Sequence, residues 1–138
     1  MDIYIKMCEC SEIQKQWKPK DGDFYFNKNL LKVLIYPYGN PVKFVDIWLP
    51  RQDDYQGMLE IDGELDYSLE KLIKEFYEFY IISEGVMPHP IQKEENEWWQ
   101  NYINQFMSMQ QLWCAFYMKE KHNKIWDGEK WMVKELRS

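Results

Sequence analysis

The sequence is short of the residues that crosslink, kink or strongly charge a chain. Its three cysteines, Cys8, Cys10 and Cys114, cannot all pair with one another, which argues against a disulfide scaffold. Cys8-x-Cys10 falls short of a metal pattern, because residues two apart on a helix point to different faces and only His89 and His122 could complete a site. These thiols read as reduced and partly buried, and no metal or cofactor is expected. The six glycines stand isolated from one another, so no phosphate-cradling glycine loop exists. Apolar runs are short, none approaching the roughly 20 residues that cross a bilayer. The start Met1-Asp2-Ile3-Tyr4-Ile5-Lys6 lacks the basic and apolar stretches of a secretory signal. The reading is a soluble, cytoplasmic protein with no membrane partner.

Arginine is scarce too. Of 17 Lys+Arg, only Arg51 and Arg137 are arginine, leaving fifteen lysines. Codon usage in an AT-rich genome produces such a bias, yet it singles out Arg51, the arginine away from the terminus. With Asp+Glu at 23 the formal charge is −6. Duplex binding draws on cations that displace counterions from phosphate, so direct duplex DNA binding is not expected.

What the chain has in quantity is aromatic surface. Aromatics make up 17% of the 138 residues and hydrophobic residues 46%, which excludes a disordered chain. The length suits one domain over residues 1–138. A domain of that size buries roughly two-thirds of its unfolded surface.

Periodicity predicts α+β architecture: a small antiparallel sheet of about three strands, four to five helices and a C-terminal hairpin. Ile3, Met7, Cys10, Ile13 and Trp17 form one face of an opening helix, stopped by Lys18-Pro19 and Asp21-Gly22. Strands follow at Asp23–Phe26, Lys32–Tyr36 and Val42–Leu49. The punctuation Pro37–Pro41 predicts a hairpin between the last two, with the third strand, apolar on both faces, at the sheet's centre. Pro50 ends that strand and suits the first turn of a helix carrying Asp53 and Asp54 near its start and ending near Glu60. Ser68 caps a helix with Leu69, Leu72, Ile73, Phe76 and Tyr80 inward. Another runs from Lys93 with Trp99, Tyr102, Ile103 and Phe106 inside. Ser108 with Gln111 makes a capping-box pattern opening a last helix that buries Met109, Leu112, Trp113, Phe116 and Tyr117. Asp127-Gly128 predicts a type I′ hairpin turn pairing Trp126 with Glu129.

Candidate chemistry concentrates in two places. At Trp48-Leu49-Pro50-Arg51-Gln52-Asp53 a helix start offers free N–H groups, and Arg51 could add a bidentate contact to an anion; the same arginine could instead pair with a neighbouring acid. Around Tyr77, Glu94, Glu95, Glu97 and Trp98 the chain combines acids with bulky rings. Trp98 and Trp99 are adjacent on one helix and cannot both point inward, and exposed aromatics serve as interface anchors. Cys114 lies in an apolar helix between Trp113 and Ala115, which suits a core thiol better than a nucleophile paired with histidine. Adjacent acids such as Asp53-Asp54 at helix starts suit the dipole better than acid/base catalysis.

Three strings carry a resemblance: Trp48-Leu49-Pro50-Arg51-Gln52-Asp53, the run Gln111-Leu112-Trp113-Cys114-Ala115-Phe116-Tyr117-Met118-Lys119-Glu120-Lys121, and Lys124-Ile125-Trp126-Asp127-Gly128-Glu129-Lys130-Trp131. With Met7-Cys8-Glu9 and Gln16–Asp23 they resemble a family of small proteins encoded by phages and prophages of Firmicutes, departing from its pattern at Gly57 and Cys114. The resemblance brings no activity. It implies a phage accessory protein in the host cytoplasm.

The function expected is a non-enzymatic binding protein that inhibits a host anti-phage defence factor. It would act through an acidic, aromatic-bearing surface in Glu60–Glu97, with a host protein as partner and a homo-oligomer possible. Two alternatives stand beside it: a nucleotide sponge binding at the Pro50–Arg51 helix start, and a metal-dependent nucleic-acid enzyme.

Overall fold

The computed structural model describes residues 2–37, 46–61, 69–83 and 93–133. Instead of one opening helix, the chain forms α1 (Ile3–Cys8) and α2 (Ser11–Gln14), separated by Cys10 in extended conformation (φ −142°, ψ 152°). Asp2 caps α1 by accepting from the Tyr4 N–H at 2.8 Å. The break changes which residues face in: Tyr4, Ile5, Met7 and Cys8 are buried, and Ile3, expected inside, is exposed. Its physical reason lies in Gln14. That carboxamide accepts from the Trp48 N–H (2.8 Å) and donates to the carbonyls of Trp48 (3.0 Å) and Cys8 (2.8 Å). These tertiary bonds satisfy buried backbone groups, and they override the local helical spacing.

The sheet is antiparallel, with β1 (Phe24–Asn27) between β2 (Lys32–Ile35) and β3 (Asp46–Trp48). Phe26 lies opposite Val33 on one side and Ile47 on the other. The central strand is therefore β1, not the third strand, and β2 forms its hairpin with β1. The predicted turn at Pro37–Pro41 runs into residues 38–45, outside the described ones. The unread signal was Asn27. Its side chain accepts from the Leu30 N–H (2.8 Å) and its carbonyl from the Leu31 N–H (2.8 Å), closing a turn in which Leu31 takes φ 54°. The apolar faces that suggested a central place for β3 are buried although the strand lies at the sheet's edge: Asp46, Ile47 and Trp48 are all buried, with Trp17 stacked on Trp48 at 6.2 Å.

Beyond Pro50 comes α3 (Gln52–Ile61), burying Tyr55 and Leu59, four residues apart on one face. Then follow α4 (Leu69–Ser83), α5 (Lys93–Asn104) and α6 (Met109–His122). The predicted cap Ser68 lies outside the described residues. In α4 the inward stripe is Leu72, Phe76 and Phe79, and Ile73 and Tyr80 face solvent, contrary to expectation. In α5 Trp99, Tyr102 and Ile103 are buried as predicted, with Phe106 packed against them. The Ser108 hydroxyl accepts from the Gln111 N–H at 3.1 Å, and Gln111 reaches back to the Met107 N–H at 2.7 Å, one residue earlier than a capping box requires. From Gln111 to Met118 every residue of α6 is buried, and Met109, expected inside, is exposed. Asn123 ends α6 in the left-handed conformation.

The C-terminal hairpin joins β4 (Lys124–Trp126) to β5 (Trp131–Val133). Trp126 pairs with Trp131 rather than Glu129, so the connection is four residues, not two. Asp127 explains the longer loop: its Oδ1 accepts from the Glu129 (2.7 Å) and Lys130 (2.8 Å) N–H groups, and Gly128 supplies φ 106°. Buried side chains from Tyr4 to Trp126 form one apolar cluster. Among the described residues no helix is long and apolar enough to cross a membrane.

Candidate functional site

At the start of α3 the protein supplies its own anion. Asp54, in the first turn, accepts from the Arg51 N–H at 2.8 Å, the contact an acid makes when it closes back on a helix cap. Lys20 balances that charge, with its Nζ 2.9 Å from both Asp54 and Asp23. Asp23's carboxylate, helped by Asp54's, holds the Lys20 ammonium above the usual lysine value. Asp23 is buried and also accepts from Trp17 Nε1 and the Lys20 N–H, both at 3.0 Å. The Arg51 guanidinium donates to the Gly22 carbonyl and lies over the Phe24 ring, 4.6 Å from its centroid. The side chain is thus bound to the Gly22–Phe24 turn and strand. Gln52 is half-buried and Asp53 exposed. This junction joins Lys20, Asp23, Arg51 and Asp54 into a neutral knot that fastens α3 to the sheet.

The second candidate region sits on α4 and α5, which pack against each other. The Trp99 Nε1–H donates to the Phe79 carbonyl at 2.9 Å, with the two rings edge-to-face at 5.4 Å. Trp99 is buried; its neighbour Trp98 is half-exposed and stacks on Tyr102 at 5.5 Å, as the adjacency of two tryptophans required. Relative exposures are 55% at Ile73, 59% at Tyr77, 39% at Tyr80 and 43% at Trp98. Ile73, Tyr77 and Tyr80 recur at spacings of four and three, so they line one side of α4, flanking the buried stripe. Glu70, Glu78 and Glu97 are exposed on the same two helices. The side chains of Glu94 and Glu95 lie outside the described part of α5. The sequence singles out Trp98 by its adjacency to Trp99 and Tyr77 among the bulky rings, but helical spacing assigns Ile73 and Tyr80 to the interior. The signal that separates them is Phe79, which completes a tighter inward stripe with Leu72 and Phe76.

Nucleophile chemistry finds little support in the thiols. Cys114 is fully buried beside Cys8 and Tyr55, and burial pushes its thiol well above the usual value. Burial likewise raises Cys10 to about 12, so at neutral pH these sulfurs carry protons and are poor nucleophiles. The Tyr55 hydroxyl lies 2.8 Å from that of Tyr4 and 3.7 Å from Cys8 Sγ, and Tyr4 donates to the Pro50 carbonyl. This tie joins α1 to the beginning of α3, and no spacing in the sequence announced it. Of the two histidines, His122 packs edge-on against Tyr117 at 5.6 Å and His89 lies outside the described residues. Among the described residues no three His, Cys, Asp or Glu side chains gather as a metal site would require. Comparison of the chain with protein-family models, curated proteins and solved structures finds no match.

Proposed function

We propose that the chain is a phage-encoded, non-enzymatic binding protein that inhibits a host anti-phage defence factor by docking on it through α4 and α5. The observation that carries this reading is the exposed row Ile73, Tyr77 and Tyr80 on α4, with Trp98 exposed on the adjoining helix. Large rings held on rigid helices bury much area at little entropic cost, which is why they anchor interfaces. Exposed Glu70, Glu78 and Glu97, on a chain of net charge −6, favour a basic target surface such as a nucleic-acid channel. Charge of that kind sets on-rate and salt sensitivity more than final affinity.

The test is capture of partners from host lysate at low and high salt, run in parallel with Tyr77→Ala/Trp98→Ala protein. The expected outcome is a specific protein retained by the wild type, released progressively by salt and lost from the double variant. Equal recovery by both proteins, or no specific partner at either salt concentration, defeats the proposal.

A further inference from the structure

The sheet keeps one edge open, on elements other than those of the proposed docking surface. β2 is an outer strand, paired on one side only, with β1. Ladder bonds alternate along an antiparallel strand, so neighbouring residues aim their N–H and carbonyl groups to opposite sides. Two bonds fix that alternation here. Tyr36 donates its N–H to the Asp23 carbonyl at 2.7 Å, and the Phe24 carbonyl turns the other way, accepting from the Leu49 N–H at 2.9 Å. Leu34 therefore bonds inward to its partner Tyr25, and the N–H and carbonyl groups of Val33 and Ile35 point away from the sheet. Among the described residues no hydrogen bond from outside the β1–β2 ladder reaches them.

Their side chains are exposed as well, and both are β-branched, a type that pairs well across strands. A guarded edge carries a charge or a proline at such positions. The charge that β2 does carry, Lys32, stands at a position bonded inward. The far edge of the sheet differs, since Gln14 takes both the N–H and the carbonyl that Trp48 turns outward.

We infer that a second copy of the chain occupies the open edge, β2 against β2 about a two-fold axis, joining two three-stranded sheets into one. The ends of the strand set the register. Leu31 leaves the extended conformation at φ 54°, and Pro37 has no N–H to offer. Val33 and Ile35 are the outward-bonding residues between them. A two-fold axis that uses both sets Val33 against Ile35 of the second copy, with Leu34 against its own equivalent. Each outward N–H and carbonyl of Val33 and Ile35 then has a partner. Val33 already lies opposite Phe26, so an apolar row continues across the seam from Phe26 through Val33 to Ile35 of the second copy.

Charge favours this meeting place for two copies. Each carries −6, yet the stretch from Lys28 to Tyr36 holds two lysines and no acid. Lys32 faces Tyr36 of the second copy, a cation beside an aromatic ring. The two Lys32 residues stand about 13 Å apart along the strands, beyond the roughly 8 Å screening length at physiological salt. The seam is short, and interfaces below about 1,200 Å² of total buried surface belong to weak encounters. Dimerisation is therefore expected at about 10–500 μM.

The test is sedimentation velocity on the whole chain, 17.1 kDa, from about 10 μM to about 1 mM. The mass should rise with concentration and level off at twice the monomer. Ile35→Lys and, separately, Val33→Lys place a charge in the seam, and each should weaken association at least about tenfold. Both side chains are exposed, so the urea midpoint should stay where it is, which shows the fold intact. Tyr77→Ala/Trp98→Ala should dimerise as the wild type does. In an equal mixture of ¹³C-labelled and unlabelled protein, contacts between copies should link Val33 to Ile35. A lone monomer throughout overturns the proposal, as does growth past the dimer or unaltered association in both lysine variants. Loss of association in Tyr77→Ala/Trp98→Ala, or contacts between copies that omit β2, would place the seam elsewhere and overturn it too.

Discussion

α6 and α4 are both crowded with apolar side chains, and the fold uses them in opposite ways. α6 is enclosed: α1, α3 and β4 pack against it, and Phe76 of α4 stacks on its Trp113 at 4.0 Å, so eight consecutive residues disappear from solvent. α4 packs chiefly on α5 and keeps a second apolar row outside. Burial follows from the number of neighbouring elements, and an apolar arc wider than its contacts becomes surface. A helix that is apolar all round belongs in an interior, whereas one whose apolar arc outruns its partner has surface left to bind with.

The widest separation between the two helices should come from truncating the rings they carry. Phe116→Ala removes a fully buried ring from α6 that touches Phe76, Phe79 and Trp113. It should cost about 3–5 kcal/mol in urea unfolding, as deletion of a large aromatic in a packed core does. A cost below about 1 kcal/mol would show that α6 is not the enclosed element its burial indicates.

A smaller effect concerns the exit of α6, where Lys124 meets Glu12 of α2. Burial opposes ionisation of Glu12, but the Lys124 ammonium at 3.1 Å outweighs it and holds the carboxyl below the usual glutamate value. The folded state therefore gains from this pair above the unfolded pKa and loses that gain as pH falls through the folded one. Glu12→Gln should lower stability at pH 7 by a few tenths to about 1 kcal/mol. Thermal unfolding of variant and wild type should converge only once pH falls below the lowered folded-state pKa of Glu12, where both positions are neutral. A difference that persists unchanged in acid would mean the carboxylate acts through shape rather than charge.

The least change in stability is expected at Tyr77. Tyr77→Ala on the outer side of α4 should alter unfolding by no more than about 0.5 kcal/mol, as exposed substitutions do. If it costs as much as Phe116→Ala, the outer row of α4 belongs to the core and the contrast between the helices disappears.

The fold class, both ends of α3, the break between α5 and α6 and the presence of a C-terminal hairpin were legible because local rules decide them: a proline after a strand, a Ser-x-x-Gln cap, turn residues between two short apolar runs. The hairpin's register was not, because the Asp-Gly rule implied a two-residue turn and the chain makes a four-residue one. Misreadings arose where a distant partner settled the matter. Gln14 splits the first helix through bonds to Trp48, 34 residues away, and no local window contains that information. Strand order went wrong because Asn27-Lys28-Asn29-Leu30-Leu31 has no Gly or Pro to mark a turn. At the candidate site, the unusual arginine drew attention to Arg51, and its absorption by Gly22 and Phe24 depends on a turn whose position only folding sets. Trp98 was legible from adjacency alone, since two neighbouring helical residues cannot share a face. Ile73 and Tyr80 were not, because their spacing fits an inward row as well as an outward one.

The Gln14 carboxamide has a consequence for how the sheet meets other chains. By bonding the N–H and carbonyl of Trp48, it fills the place a fourth strand would need beside β3. Open strand margins are templates for unwanted polymerisation, and proteins commonly shield them with charges, prolines or bulges. Here a single amide shields one margin by mimicking the backbone of the strand it keeps out.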